Sequence, residues 1–135
     1  MSDNDILQIK RILENRALDN LKDWELPFQE ENFLQDFTQS SDFRFTVDGF
    51  HVNDFETWKA IVYESMEFDR VNHKHYKHSI KDIQTTVLSI NSGIVTVNYI
   101  WDYITNDDLH YNVPATVTSV YRFEGKDWKI VNSHV

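Results

Sequence analysis

The sequence predicts an α+β fold: helices first, then a curved antiparallel sheet. Three stretches with apolar residues at three- and four-residue steps come early, and four stretches with two-residue alternation follow with no helix between them. No internal repeat, low-complexity tract or Pro/Gly/Ser-rich linker divides the chain, so residues 1–135 are expected to form one domain. At that length about 68% of the unfolded surface can be buried, enough for one core without a staple.

The spacing of Ile6, Ile9, Leu13, Ala17, Leu21 and Trp24 predicts a first helix over 3–24, capped by Ser2-x-x-Asp5 and stopped by Pro27. At about 1.5 Å per residue it would run about 33 Å, the width of a whole sheet. A second helix is predicted over 30–39, where Phe33, Leu34 and Phe37 share a face and Glu30 and Glu31 suit the positive N-terminal end. Phe43, Phe45 and Val47 alternate with Arg44 and Thr46 as in a short half-buried strand, which Asp48-Gly49 ends or turns. Asn53 followed by Glu56 resembles a helix-start box, and Phe55, Trp58, Val62 and Met66 supply the stripe of a third helix over 53–68.

From Val71 onward the chain reads as a β-meander. Ile83, Thr85, Val87 and Ser89 form one side of a strand that Asn91-Ser92-Gly93 turns. Val95, Val97, Tyr99, Trp101 and Tyr103 then share one side, with Thr96, Asn98 and Asp102 on the other, up to a turn at Asn106-Asp107-Asp108. The last twenty residues, Thr116–Val135, make a hairpin around Glu124-Gly125-Lys126-Asp127, with Gly125 taking a backbone conformation that a side chain resists. With Phe123 opposite Trp128, simple continuation pairs Tyr121 with Ile130, Ser119 with Asn132 and Val117 with His134 on one face. That face grades from large apolar groups near the turn to polar ones farther along, as in a core that opens into a polar-lined cavity.

The run Gly125-x-x-Trp128-Lys129-Ile130-Val131-x-x-His134 resembles the last hairpin of the SnoaL-like branch of the nuclear transport factor 2-like superfamily. The upstream element order fits as well. The resemblance implies a cone in which the curved sheet wraps the N-terminal helices around an interior pocket, and it implies a homodimer formed through the sheet. Members of such families include isomerases, cyclases and dehydratases as well as binding and assembly proteins, so the fold does not select the function. The chain does not match the Asp base with Tyr and Asp donors of ketosteroid isomerase or the His/Asp pair of polyketide cyclases. It also lacks the arginine-rich cavity of kinase-association domains, since Arg44, Arg70 and Arg122 fall on no common predicted face.

Composition narrows the partners. With 22 acidic against 13 basic residues and a net charge of −9, the summed field repels phosphate backbones and anionic membrane surfaces, so neither nucleic acid nor membrane is an expected partner. Cysteine is absent, which excludes disulfide and thiolate chemistry. No apolar run approaches the roughly 20 residues that cross a bilayer, and the acidic start Met1-Ser2-Asp3-Asn4-Asp5 lacks a secretory pattern, so a cytoplasmic protein is expected.

Glycines at only 49, 93 and 125 cannot build a phosphate loop, and no serine nucleophile elbow occurs, so no cofactor is expected. In Val71-Asn72-His73-Lys74-His75-Tyr76-Lys77-His78, His73 and His75 would share a face and His78 would point away, while Lys74 and Lys77 repel a cation. The segment reads as an exposed basic edge strand, and no metal site is expected.

The polar and aromatic set expected to line the cavity is Tyr99, Trp101, Tyr103, Ser119, Tyr121, Asn132 and His134, with His51 and Trp58 near the mouth. His134, which matches the histidine of the family motif, is the candidate general acid/base. Three functions stay open. One is a small-molecule-binding protein, the second a cofactor-independent lyase or isomerase with His134 as its base. The third is a non-catalytic dimerising scaffold using the outward strand face.

Overall fold

A reciprocal cap opens the first helix: Ser2 Oγ accepts from the Asp5 amide at 3.1 Å while Asp5 Oδ2 accepts from the Ser2 amide at 3.1 Å. The structure, a computed structural model, describes residues Met1–Val135. From this cap α1 runs Asp3–Asp23, burying Ile9, Leu13 and Ala17. Its fit against the sheet is close at Gly93, where a Cβ would lie 2.5 Å from Leu13 Cδ1.

Helix α2 is Glu30–Gln35, shorter than predicted. The chain after it is drawn into the sheet instead: Phe37 bridges Ile130, the Thr38 amide donates to the Ile130 carbonyl at 2.9 Å, and the Ile130 amide donates to the Asp36 carbonyl at 2.6 Å. Strands β1 (Arg44–Val47) and β2 (Phe50–Val52) form a hairpin around Asp48 and Gly49, whose φ angles are 48° and 84°. Helix α3 is Phe55–Asn72, capped by Asp54, not Asn53: Asp54 Oδ1 accepts from the Thr57 amide at 2.8 Å. It outlasts the prediction by one turn and buries Trp58, Val62 and Met66.

The meander follows as β3 (His73–Ser89), β4 (Ser92–Thr105), β5 (His110–Glu124) and β6 (Asp127–His134). The six strands form one curved, unclosed sheet in the order β2-β1-β6-β5-β4-β3, so β3 is an edge. One junction corrects the all-antiparallel expectation: β1 lies parallel to β6. The three helices cover the concave face, and the core between the layers gathers Leu13, Val62, Met66, Val95, Val97 and Ile130 with a large aromatic set. No helix is long and apolar enough to cross a membrane.

The terminal hairpin starts in the expected register, with Phe123 opposite Trp128 and Tyr121 opposite Ile130. A bulge then leaves Val131 without a partner, so Val120 faces Asn132, Ser119 faces Ser133 and Thr118 faces His134. The expected Ser119–Asn132 and Val117–His134 pairings are therefore corrected. Ser133 turns into the core at 2% exposure, and its hydroxyl lies 3.0 Å from that of Ser119, while Asn132 and His134 are exposed. Two small hydroxyls satisfy one another in that space, whereas an amide and an imidazole there would each need buried partners.

Candidate functional site

Glu25 follows the last turn of α1, and the Leu26 amide donates to the Tyr76 carbonyl at 3.1 Å, which ties this segment to the edge strand β3. An edge strand leaves a row of amides unpaired, and Glu25 takes one: its Oε2 accepts from the His78 amide at 2.7 Å. The same oxygen lies 3.2 Å from His78 Nδ1. A carboxylate oxygen only accepts, so Nδ1 carries a proton, and in the neutral ring that leaves the lone pair on Nε2. Both side chains sit well inside, at 6% exposure for His78 and 17% for Glu25. Burial pushes the Glu25 carboxyl up, but its bonds to the His78 ring and backbone outweigh that and hold it below the ordinary value.

A second imidazole reaches the same face because β3 bulges between His73 and His75. His73 Nδ1 lies 2.9 Å from the Asp69 carbonyl, and the His73 ring packs at 5.1 Å from Tyr76 and 5.2 Å from Tyr103. Asp69, on the last turn of α3, accepts from Trp24 Nε1 at 3.2 Å. Burial nevertheless raises its pKa, and burial with the neighbouring Asp69 charge raises that of Tyr76. His73 and His78 thus correct the expectation of an exposed basic edge: each lies inward with its Nδ1 occupied.

Tyr99, Trp101 and Tyr103 share the concave side of β4, as alternation predicts. Tyr99 packs edge-on to His78 at 5.1 Å, Trp101 is its partner across the strands, and Tyr103 stacks on Tyr111 at 5.0 Å. This aromatic wall is uncovered at one end, where Tyr111 is 41% and Val113 37% exposed. Two indole nitrogens in the molecule, Trp58 Nε1 and Trp101 Nε1, are sealed from solvent with no hydrogen-bond partner. Such an unpaired donor costs about 1–3 kcal/mol.

The remaining residues expected at the site are dispersed. Ser119 and Tyr121 lie buried on the same concave side but toward the hairpin, and Trp58 is stacked on Phe45 at 4.0 Å among Phe33 and Phe37. His51 is exposed on β2, with Nδ1 3.2 Å from Thr46 Oγ1, and Asn132 and His134 face outward. Asp102 also faces outward, as alternation predicts, bonded to His75 Nε2 at 3.0 Å and His110 Nε2 at 2.5 Å. No group of three or more His, Asp or Glu side chains has an arrangement that could hold a metal ion. Two surface depressions, about 390 Å³ on the outer side of α1 and about 360 Å³ between α1 and α2, lie away from the concave face.

The Glu25–His78 pair was missed because its halves stand 53 positions apart. The one local signal was parity: Tyr76 and His78 fall on one side of a strand, so a buried tyrosine implies an inward histidine.

Neither a protein-family model nor a curated protein matches this sequence. Solved structures do match its architecture. One is a protein provisionally assigned as a scytalone dehydratase from Novosphingobium aromaticivorans, with TM-score 0.82, 12% identity, and coverage of 98% of this chain and 86% of that one. Another is hexachlorocyclohexane dehydrochlorinase LinA-type3 from Novosphingobium barchaimii, with TM-score 0.77, 16% identity and coverage of 98% and 88%. A third, from Shewanella oneidensis, is an NTF-2 like protein of unknown function, with TM-score 0.65, 19% identity and coverage of 99% and 98%. The resemblance carried by the terminal hairpin therefore holds at the level of architecture: this chain has the cone-shaped nuclear transport factor 2-like fold.

Proposed function

We propose that this protein is a cofactor-independent lyase for a small molecule bound against the concave face, with His78 as the base and Glu25 as its orienting group. The observation that carries this is the buried imidazole whose Nδ1 is held by a carboxylate, which leaves Nε2 as a proton acceptor beside an aromatic wall. Support comes from the fold neighbours whose names denote a dehydratase and a dehydrochlorinase, both eliminations. In such a step Nε2 takes a proton from carbon, the C–H electron pair becomes the new double bond, and the leaving group departs from the adjacent carbon with its bonding pair. The imidazolium, stabilised by Glu25, then passes the proton to the departing group or to water.

The test uses 5-nitrobenzisoxazole, a neutral aromatic whose ring opens when a base removes its C–H proton, releasing a coloured phenolate. Turnover above that of free imidazole, lost in His78→Ala with the melting temperature kept, is the expected result. Equal rates for the two proteins would overturn the assignment. The convex face, where Ile94, Ile100, Thr118 and Val120 are half-buried, supports the accompanying proposal of a homodimer through the sheet. Sedimentation that finds only monomer at micromolar concentration would remove it.

A further inference from the structure

Trp101 and Trp58 both bury an indole N–H that meets no acceptor, but their surroundings differ. Trp58 is 3% exposed and wedged among Phe33, Phe37 and Phe45, away from the open end of the wall. Trp101 lies opposite His78 across the β3–β4 pairing, between the rings of Tyr76 and Tyr103, on the wall that stays uncovered at Tyr111 and Val113. An unpaired donor held next to a base is a preformed place for an acceptor atom that arrives with a ligand.

Charge narrows the ligand further. No lysine or arginine is buried anywhere in the protein. Arg70, on the last turn of α3, is bound to Glu30 and Glu67 and lies over Phe28. The charged groups that flank the wall are carboxylates, Glu25 beside His78 and Asp69 beside Tyr76 and His73. Lys77 is the lysine whose charge reaches Glu25, and its side chain is exposed on β3, so an anionic ligand under the helices would meet like charge first.

We infer that Trp101 Nε1 donates a hydrogen bond to a neutral oxygen of the ligand, and that the site takes uncharged, flat carbonyl compounds rather than carboxylates or phosphates. The inference rests on the small-molecule reading of this face but not on His78 acting as a base. In an elimination from such a compound, a donor on the carbonyl oxygen would stabilise the charge left when His78 removes the neighbouring proton.

The probe is 2-tetralone, with tetralin as its oxygen-free counterpart and 2-naphthoate as an anionic bicycle. In the ¹⁵N-labelled protein the four tryptophans give four indole N–H signals, and Trp101→Phe identifies one of them. On adding 2-tetralone to the wild-type protein, the Trp101 signal moves downfield while that of Trp58 stays in place. Trp101→Phe weakens 2-tetralone about five- to tenfold and leaves tetralin unchanged, as expected for one lost hydrogen bond. 2-Naphthoate binds at least about tenfold more weakly than 2-tetralone. A Trp101 signal that does not respond, a variant that weakens ketone and hydrocarbon alike, or preferred binding of the anion would each overturn the inference. Failure of the base assignment looks different: 5-nitrobenzisoxazole is not turned over, yet the Trp101 signal still moves with the ketone.

Discussion

The two faces of the sheet carry the same chemical groups in opposite settings. On the concave face, Glu25 holds His78 under the helices, one carboxylate to one imidazole, and Nε2 is left over. On the convex face, Asp102 lies between His75 and His110, and both imidazoles bond to it through Nε2, the atom that would otherwise be free to react. Burial differs as well: the side chain of His110 is 53% exposed against 6% for His78. A histidine beside a carboxylate therefore indicates chemistry only when the second nitrogen is open and water is largely kept away. The convex trio is a cross-strand clasp of low energetic value.

The largest expected effect separates the faces directly. His78→Ala should lower proton abstraction from 5-nitrobenzisoxazole by at least about 100-fold, whereas His75→Ala and His110→Ala should leave it within about twofold. Stopped absorbance assays on the three variants check this, and equal losses would erase the contrast.

Glu25→Gln should cost about tenfold in the same assay, since the amide keeps the contact but not the charge that steadies the imidazolium. It should also change acid stability. Because the folded value of Glu25 is depressed, its contribution is full above the ordinary value of 4.5 and fades as pH falls through the folded value. Urea titrations should show less loss of stability on the acid side for the variant.

Asp23 tests what a carboxylate does here without an imidazole. Burial, then repulsion from Asp36 and Asp19, pushes it up to about 6. A raised carboxyl acts in the opposite sense: the unfolded chain ionises first, so stability falls as pH rises from about 4 to about 6. Asp23→Asn should thus stabilise the protein at pH 7 by about 1 kcal/mol after allowing for solvent screening, and should have no effect below about pH 4.

On the convex side the effects shrink. Hydrogen bonds from His110 and then His75 hold Asp102 below its ordinary value, but the group is solvated, and Asp102→Asn should shift stability by no more than about 0.5 kcal/mol. His134→Ala should change neither the melting temperature nor turnover measurably. A loss of turnover there would return the site to the terminal hairpin.

Local pattern made most of the architecture legible. The stripe Ile9–Leu13–Ala17, the alternation of Val95, Val97 and Tyr99, and the Phe123–Trp128 pairing all describe residues whose neighbours in sequence set which side they bury. The site was legible only in part. Tyr99, Trp101 and Tyr103 follow from parity, but parity fails wherever a strand takes an extra residue. The bulge at Val131 sent Asn132 and His134 outward, and the bulge between His73 and His75 brought His73 inward. A bulge depends on what the opposite strand and the covering helices can accommodate, as the mutual Ser119–Ser133 contact shows.

By itself, then, the sequence determined the order of the elements, the identity of the core stripes and the exclusion of thiol chemistry, because these depend on composition and on spacings of a few residues. The tertiary structure decided which histidines became buried and what each one met. Glu25 reaches His78 only because α1 crosses the sheet and delivers its end to the edge strand, where an unpaired amide and an imidazole converge on one carboxylate oxygen. That convergence joins two distant segments through one oxygen atom, and no periodicity along the chain encodes it.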